Sequence, residues 1–163
     1  MATKQQKVVE LERVVVRFAG DSGDGMQLTG SLFSDAAAIA GNDFATFPDY
    51  PAEIRAPQGT VAGVSGFQVH IGHKEVSTPG DQADVLVAMN PAALKASLSE
   101  LETGGVIIVN TDAFTRSNLR KAGYEADSMQ ERVLSSNTPS ASADITLVQI
   151  SGAALKGKVT FLA

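Results

Sequence analysis

An apolar stretch that runs directly into a glycine-rich turn is the feature that most restricts the fold of this chain. Residues 14–19 read VVVRFA, and the turn GDSGDG begins at Gly20. Branched apolar side chains of this kind suit a strand inside a parallel sheet. A helix is then predicted over residues 25–40, because apolar residues recur there at three- and four-residue intervals and form one face: Leu28, Leu32, Ala36 and Ile39. A strand, a glycine turn and a helix in this order indicate an α/β domain.

Strands and helices alternate along the rest of the chain. Further strands are predicted at residues 43–47, 61–71, 84–89, 106–109 and 145–150. After residue 89, Asn90 and Pro91 supply a helix N-cap and a first-turn proline, and the glycines at 104 and 105 mark the predicted end of that helix. The alternation predicts a three-layer, Rossmann-like α/β domain with a mainly parallel sheet and right-handed crossovers.

The strand at residues 61–71 is expected to be half exposed. Its apolar residues alternate with Gln68 and His70, and such alternation is typical of a strand with one solvated face. The glycine at residue 72 allows the chain to turn back through residues 74–76 as a hairpin. The sheet is therefore predicted to include an edge strand or a hairpin at this point.

The composition is that of a folded globular protein without the positive charge that nucleic acids attract. Its 163 residues suffice for one domain with a core, and 44% hydrophobic against 19% charged residues argues against disorder. The net charge of −5 is unsuited to a nucleic-acid surface. No apolar run approaches the roughly 20 residues that span a bilayer, and no export signal is visible. A cytoplasmic protein without membrane contact is therefore expected.

The chain contains no cysteine, which removes disulfide bonds, a cysteine nucleophile and thiolate ligands for zinc or iron–sulfur clusters. The two histidines, His70 and His73, have no third ligand nearby in the sequence, so no metal site is predicted. Serines are frequent, but no Gly-x-Ser-x-Gly motif accompanies them. No catalytic residue is therefore predicted in this chain.

The glycine-rich turn leaves two interpretations open. Backbone N–H groups at the start of the following helix suit an anion such as a phosphate. The glycine spacing departs from the dinucleotide and Walker patterns, however, and Asp21 and Asp24 place negative charge where a diphosphate needs positive charge. Asp24 would serve equally well as a helix cap. The turn is thus either an anion-binding loop or a packing turn.

An irregular, proline-rich loop over residues 48–60 carries a second candidate residue. Arg55 follows Glu53 in the sequence YPAEIRAPQG. The planar guanidinium group binds carboxylates and phosphates through a fork of donors, and loops often carry function. The alternative is a local ion pair of Arg55 with Glu53 or Asp49 that holds the loop in place.

Four motifs, taken in order, resemble one known family. They are GDSGDGMQLTG, FPDYPAEIRAPQGTVAGVSGFQVHIG, DVLVAMNPAAL and GGVIIVN. Together they resemble the γ-type domain of the 2-oxoacid:ferredoxin oxidoreductases, over about residues 10–151 and most specifically over residues 46–72. The turn reads Ser-Gly-Asp-Gly where many relatives have Gly-Gly-Gln-Gly, which favours the N-terminal part of the α subunit of the 2-oxoglutarate-specific enzymes.

The resemblance implies a function that belongs to an assembly. Enzymes of this family decarboxylate a 2-oxoacid on thiamine diphosphate, pass electrons through iron–sulfur clusters to ferredoxin, and release an acyl-CoA. Thiamine diphosphate and the clusters are implied to lie on partner domains or subunits, so this chain would be a non-catalytic part with a candidate surface for coenzyme A. The residues implied to bind that cofactor are Gly20, Ser22, Gly23, Asp24, Gly25 and Arg55, and Glu53 completes the Glu-x-Arg motif.

Two expectations concern the extent of the domain. Residues 1–12 read as a polar lead-in, and residues 13–163 as a single γ-type domain that is truncated at its apolar ending, GKVTFLA, because a helix normally follows each strand of a doubly wound sheet. A part of a larger enzyme is expected to expose apolar surface where the rest of the enzyme packs. The alternative is a stand-alone ligand-binding or regulatory Rossmann-like module without redox activity.

Overall fold

The computed structural model of the chain describes residues 11–51, 56–124 and 146–150, the last of these as backbone only. In chain order, the strands and α-helices are β1 Arg13–Asp21, α1 Met26–Ile39, β2 Asp43–Asp49, β3 Val64–Gly72, β4 Ala83–Ala88, α2 Pro91–Ser97, β5 Leu101–Asn110, α3 Arg116–Lys121 and β6 Thr146–Ile150. Short 3-10 turns precede β3, β5 and α3. None of the helices in these ranges has the length and apolarity needed to cross a membrane.

The strands form one six-stranded sheet in the order β2-β3-β1-β4-β5-β6. Strands β1, β4, β5 and β6 run parallel to one another, whereas β3 is antiparallel to both of its neighbours, β1 and β2. Three of the five pairings are therefore parallel, and β2 is an edge strand. The predicted α/β class with a mainly parallel sheet is confirmed, and a strand forms at each predicted position.

Helices cover both faces of the sheet, because successive residues of β1 point to opposite sides. Val15 belongs to an apolar cluster that includes Leu94 of α2 and Leu119 of α3. Its neighbour Val16 belongs to a second cluster, which includes Met26 of α1. One helix therefore packs on one face and two pack on the other, which gives the predicted three layers.

The second helix begins as the sequence predicts. Asn90 is the N-cap of α2, and its side-chain oxygen accepts a hydrogen bond from the Ala93 N–H at 2.9 Å. Pro91 occupies the first turn, where its missing N–H leaves no hydrogen bond unmade. A single Asn-Pro pair thus determines how the chain leaves β4 and enters α2.

The predicted end of α2 is wrong. The helix stops at Ser97, and Gly104 and Gly105 lie inside β5 rather than after a helix. Gly104 has a φ of 86°, which a residue with a side chain rarely adopts. A Cβ atom on Gly105 would lie 2.8 Å from Leu101 Cδ1. The two glycines therefore permit the backbone conformation and close packing at the start of β5, and they do not end a helix.

The predicted exposure of β3 is also wrong. The strand lies between β1 and β2, and Gln68 is only 4% exposed. Its amide donates to the carbonyl oxygens of Pro79 and Gly80 at 2.9 and 2.7 Å, so a polar residue is buried with its donors satisfied. The chain does not return as a hairpin through residues 74–76, because the Val76 N–H donates to the Asp43 side chain at 2.7 Å instead of pairing in a strand.

Helix α1 turns its predicted apolar face away from the sheet. Leu28, Leu32 and Ile39 are 66, 59 and 88% exposed. The face that contacts the sheet is made of Met26, Phe33 and smaller residues, among them Gly30, where a Cβ atom would lie 2.2 Å from the ring of Phe67. Small residues let the helix lie close to β3, and this close approach determined which face is buried.

Candidate functional site

A cavity opens at the ends of the parallel strands. Strands β1 and β4 are parallel neighbours, but the helices that follow them, α1 and α2, lie on opposite faces of the sheet. Ligands of open α/β sheets bind at such a switch point, outside the carboxyl ends of the strands. The cavity here, called the switch-point cavity below, measures about 290 Å³. Its polar lining includes Asp21, Asp24, Asn90, Asn110, Asn118 and Lys121.

The glycine-rich turn is held together by one of its own aspartates. Oδ2 of Asp24 accepts hydrogen bonds from the Asp21 N–H at 2.9 Å and from the Asn90 side-chain amide at 2.8 Å. Gly20 lies against this contact, because a Cβ atom there would lie 3.0 Å from Asp24 Cβ and 3.1 Å from Met89 Cβ. The carboxylate of Asp24 therefore ties the end of β1 to the start of α2.

The start of α1 lies at the other side of the same turn. Gly25 is the N-cap with a φ of 77°, and no side chain in the described part of the protein caps this helix, so the expected capping by Asp24 does not occur. Ser22 and Gly23 are exposed and line a second cavity of about 320 Å³ together with Pro51. The turn thus offers uncapped backbone N–H groups and a side-chain hydroxyl to an approaching group.

Asp21 is the most deeply buried acid of the site, at 6% exposure. Its Oδ2 accepts a hydrogen bond from the Gly59 N–H at 2.7 Å, and its Oδ1 has no hydrogen-bond partner in the described ranges. Burial raises the pKa of this carboxyl above its ordinary value of 3.8, and the charge of Asp24 acts in the same direction. The Gly59 N–H, the charge of Lys121 and the Asn90 amide lower the pKa of Asp21. The result is a half-satisfied carboxyl group at the cavity.

The proline-rich loop is anchored at both of its described ends. At its start, Asp49 pairs with the guanidinium group of Arg17 at 2.5 Å, and at its end Gly59 donates to Asp21. Asp49 therefore has a partner on β1. Residues 52–55, which contain Glu53 and Arg55, lie outside the described residues.

Arg17 itself is a buried cation in the middle of β1. It is 6% exposed and pairs with Asp49, at the end of β2, and with Glu100 at 2.6 Å. Both carboxylates are partly exposed, with side-chain exposures of 44 and 42%. The guanidinium group therefore links β2, β1 and the turn before β5, and it orients the chain that enters the loop.

Comparison with known proteins decides the family. Residues 15–157 match the family described as pyruvate ferredoxin/flavodoxin oxidoreductase. The chain belongs to this family. It is 60% identical over 125 residues to the 2-oxoglutarate oxidoreductase subunit KorA of Mycobacterium tuberculosis, a match that covers 77% of this chain and 19% of KorA. It is 29% identical over 138 residues to the 2-oxoglutarate synthase subunit KorC of Methanothermobacter marburgensis, which covers 83% of this chain and 71% of KorC. This member of the family thus spans about a fifth of the length of KorA.

Solved structures of the family have the same fold. The 2-oxoglutarate:ferredoxin oxidoreductase from Magnetococcus marinus, with 2-oxoglutarate, coenzyme A and succinyl-CoA bound, superposes with a TM-score of 0.59 over 86% of this chain and 20% of that chain, at 22% identity. The γ subunit of the keto/oxoacid ferredoxin oxidoreductase from Geobacter sulfurreducens superposes with a TM-score of 0.53 over 83% of this chain and 60% of that chain, at 24% identity. These two superpositions confirm the predicted Rossmann-like fold.

The structure places five of the six predicted site residues in one turn of this oxidoreductase-family domain. Ser22, Gly23, Asp24 and Gly25 are exposed and Gly20 is buried, and Asp24 also holds the turn together through its hydrogen bonds. The sixth residue, Arg55, lies outside the described ranges. The turn is therefore an accessible feature of the surface, and the cofactor that binds to it is not determined by this geometry.

Sequence reasoning missed the far wall of the switch-point cavity. Asn110 ends β5, and Asn118 and Lys121 come from α3. Asn110 carried a usable signal, because polar residues at the carboxyl ends of parallel strands meet at the same edge of the sheet. The side chains of α3 carried none, since only the fold brings this helix beside the glycine turn.

The histidines lie at the opposite end of the sheet. Nδ1 of His70 is 2.6 Å from the Thr78 carbonyl oxygen. Within the described ranges, no group of three or more histidine, aspartate or glutamate residues is arranged to hold a metal ion.

Proposed function

We propose that this chain is a non-catalytic γ-type part of a 2-oxoacid:ferredoxin oxidoreductase whose substrate is 2-oxoglutarate. The observation that carries the proposal is the 60% identity to KorA over 77% of the chain. The complete enzyme oxidatively decarboxylates the 2-oxoacid to an acyl-CoA and reduces ferredoxin. Because this sequence has no cysteine, the iron–sulfur clusters are held by partner domains or subunits, as is thiamine diphosphate. The enzyme works in the cytoplasm.

Coenzyme A approaches the glycine-rich turn in this proposal. The start of α1 offers backbone N–H groups with no side-chain cap, beside the hydroxyl of Ser22. One carboxylate oxygen of Asp24, Oδ2, accepts hydrogen bonds from the Asp21 N–H and from the Asn90 side chain within the turn. Arg55, in the adjacent loop, supplies a cation for the phosphates of the cofactor. The Magnetococcus enzyme, whose structure contains coenzyme A, has the same fold.

The exposed face of α1 supports a place in an assembly. Leu28, Leu32 and Ile39 form a stripe along the outside of this helix, and each is more than half exposed. Apolar side chains grouped in this way mark surfaces that pack against other protein. The partners are the domains or subunits that carry thiamine diphosphate and the iron–sulfur clusters, with ferredoxin as an indirect partner.

Capture of the tagged chain from its own cells tests the proposal. The captured material is assayed for reduction of a viologen dye that depends on both 2-oxoglutarate and coenzyme A, and the chain alone serves as the inactive control. We expect a large complex with an iron–sulfur absorption spectrum. A single 16.9-kDa species without activity would contradict the proposal and leave the stand-alone binding module.

A substitution that introduces a charge into the exposed apolar stripe of α1 tests separately whether this face contacts the partner subunits. Leu32→Glu is expected to reduce recovery of the partner subunits at least tenfold, because a carboxylate in an apolar interface must be desolvated. Its matched control is Leu98→Glu, which alters a leucine of 41% exposure in the turn that follows α2. Equal losses for both variants, or none for Leu32→Glu, would remove this face from the assembly.

A further inference from the structure

A buried arginine interrupts an otherwise apolar strand. Arg17 follows three valines in β1 and is 6% exposed. Taking a charge out of water is unfavourable, and replacing a buried ion pair by apolar residues of similar volume often leaves the stability of a protein unchanged or raises it. The stability of the sheet therefore does not require a cation at this position. The contacts of the guanidinium group indicate what else it does.

The guanidinium group lies in a space that β3 leaves open for it. Gly66 has no side chain, and a Cβ atom there would lie 3.1 Å from Arg17 Nη2. The Gln68 side chain donates to the carbonyl oxygens of Pro79 and Gly80, which leaves its own oxygen to accept from Arg17 Nη1 at 3.4 Å. These two neighbours on β3 restrict the orientation of the guanidinium group.

The two carboxylates that pair with Arg17 come from separate parts of the chain. Nη2 lies 2.5 Å from Asp49, the last residue of β2, and Nε lies 2.6 Å from Glu100, in the turn before β5. The two acidic side chains are 44 and 42% exposed, so water would solvate either carboxylate if the arginine were absent. Ion pairs with partly exposed partners add little stability, and here they fix positions instead.

Asp49 determines where the chain enters the proline-rich loop. Pro51, two residues further on, lines the cavity of about 320 Å³ beside Ser22 of the glycine-rich turn, called the turn–loop cavity below. A proline has a fixed φ, and Tyr50 is restricted as well because it precedes a proline. The direction of the chain at Asp49 is therefore carried to Pro51 with little freedom, and the Arg17–Asp49 pair positions one wall of this cavity.

The opposite wall of the turn–loop cavity, which includes Gln58, is held by other contacts. The N–H and the hydroxyl of Thr60 both donate to the Pro57 carbonyl oxygen, at 3.2 and 2.7 Å, and the Gly59 N–H donates to Asp21 at 2.7 Å. These hydrogen bonds do not involve the arginine. Loss of the arginine would therefore move one wall relative to the other and change the width of the cavity.

We propose that Arg17 is a positioning residue for coenzyme A: through Asp49 it holds Pro51 at a fixed distance from the glycine-rich turn and so determines the KM for the cofactor. This rests on the proposed function, in which coenzyme A approaches that turn. Arg17 is buried in the sheet and acts only through the entrance of the loop. Its loss weakens the use of coenzyme A and leaves the use of 2-oxoglutarate unchanged.

The matched variants Asp49→Asn and Glu100→Gln test this in the captured complex. Each neutralises one carboxylate of similar exposure on the same guanidinium group, so a purely structural role predicts equal effects. We expect Asp49→Asn to raise the KM for coenzyme A about tenfold, with kcat and the KM for 2-oxoglutarate as in wild type. Glu100→Gln should leave all three constants unchanged. Equal KM values for coenzyme A in the two variants would overturn the proposal.

A double-mutant cycle shows whether Asp49 acts through Arg17. Arg17→Met keeps much of the length of the side chain and removes its charge, and the two carboxylates left behind are solvated. Arg17→Met and Asp49→Asn are each expected to raise the KM for coenzyme A about tenfold, and the double variant to raise it no further. A product of the two single effects, about a hundredfold, would mean independent contributions and would contradict the mechanism.

The position of the cavity wall is measured without the cofactor. Because the chain has no cysteine, spin labels can be attached to the full chain through Ser22→Cys and Tyr50→Cys, both at exposed positions. Dipolar broadening between the two labels is expected to decrease in Arg17→Met and in Asp49→Asn and to persist in Glu100→Gln. Unchanged broadening in all three variants would show that Arg17 does not position this wall.

The two readouts separate this inference from the proposed function. Reduced broadening with an unchanged KM for coenzyme A means that Arg17 positions the wall but the cofactor does not approach it, which contradicts the proposed approach of coenzyme A and the KM effect with it. Unchanged broadening in a complex that uses coenzyme A leaves the proposed function intact and contradicts the inference. A captured chain without activity contradicts the proposed function, and the spin-label comparison still decides whether Arg17 positions the wall.

Discussion

The two ends of the sheet each carry a cavity, and the larger cavity is the weaker candidate for a binding site. At the amino ends of the parallel strands a cavity of about 440 Å³ is lined by residues that include Arg13, His70, Asp81 and Asp84. The switch-point cavity at the carboxyl ends measures only about 290 Å³. Volume alone would therefore select the wrong end of an open α/β sheet.

The difference lies in how far the protein satisfies its own polar groups. At the amino end, Asp84 accepts the Val15 N–H at 2.8 Å and His70 Nδ1 contacts Thr78. Among the described residues, the second ring nitrogen of His70 is the one buried side-chain polar atom without a partner at this end. At the carboxyl end, the group without a partner is an oxygen of the buried carboxyl of Asp21. Asp21 is more deeply buried than His70, so its unpaired oxygen is the more unfavourable of the two and points more strongly to a ligand.

The largest losses in stability are expected when one glycine at each end of the sheet is replaced by valine, because the new side chain has no space. Gly20→Val places methyl groups against Asp24 and Met89, and Gly80→Val combines a φ of 82° with a Cβ atom 2.7 Å from Val15 Cγ2. Each is expected to lower the free energy of unfolding by about 2–3 kcal/mol in urea titrations of the full chain. Only Gly20→Val is expected to weaken binding of coenzyme A by the complex. Equal weakening by both variants would remove the distinction between the two ends.

Smaller losses in the free energy of unfolding are expected when one aspartate at each end of the sheet is replaced by alanine. Asp24→Ala leaves two donors unpaired, the Asp21 N–H and the Asn90 amide, whereas Asp84→Ala leaves one, the Val15 N–H. The expected losses in free energy of unfolding are about 2 and 1 kcal/mol. Coenzyme A binding should fall for Asp24→Ala only. A loss of binding in Asp84→Ala would show that the amino end communicates with the cofactor.

Asp21 is expected to make the domain less stable as the pH rises. Its pKa is raised on folding, above 3.8, mainly by burial, so between the two pKa values the folded chain binds more protons than the unfolded chain. The free energy of unfolding then decreases as the pH rises through this window. Asp21→Asn should remove that decrease and raise the melting temperature at pH 7 by roughly 2–4 °C, for about 1 kcal/mol. Thermal unfolding from pH 4 to pH 7 measures this. An identical decrease in both proteins would show that Asp21 is not its source.

The smallest effect is expected for His70→Gln at the amino end. The variant disturbs one hydrogen bond to the Thr78 carbonyl group, which is worth about 1 kcal/mol or less. Calorimetric titration with coenzyme A should give the same Kd as wild type. A tenfold change in Kd would place a cofactor contact at the amino end and reverse the assignment of the two cavities.

Local signals predicted the strands well, because apolar runs in this chain are short and bounded by glycine or proline. They also predicted the N-cap Asn90, whose chemistry depends on only three following residues. They failed where packing decided between alternatives. Gln68 reads as a solvated residue, and it is buried because two carbonyl groups from a distant loop accept its amide hydrogens.

The face of α1 shows the same limit. The pattern of Leu28, Leu32 and Ile39 correctly identifies an apolar stripe, but it cannot say whether that stripe contacts the sheet of the same chain or another protein. Gly30 decides the question, because only a glycine tolerates the ring of Phe67 at that distance. In the site, the turn from Gly20 to Gly25 could be predicted from its motif, whereas Lys121 enters through tertiary structure alone.

Hydrogen exchange of the captured complex with and without coenzyme A tests the central claim most directly. The account predicts that the cofactor slows exchange at the glycine turn, residues 20–25, and at residues 118–121 of α3, and that exchange at residues 78–84 at the amino end stays unchanged. Protection at the amino end, or no protection at the glycine turn despite saturating cofactor, would contradict the assignment of coenzyme A to the carboxyl end of the sheet.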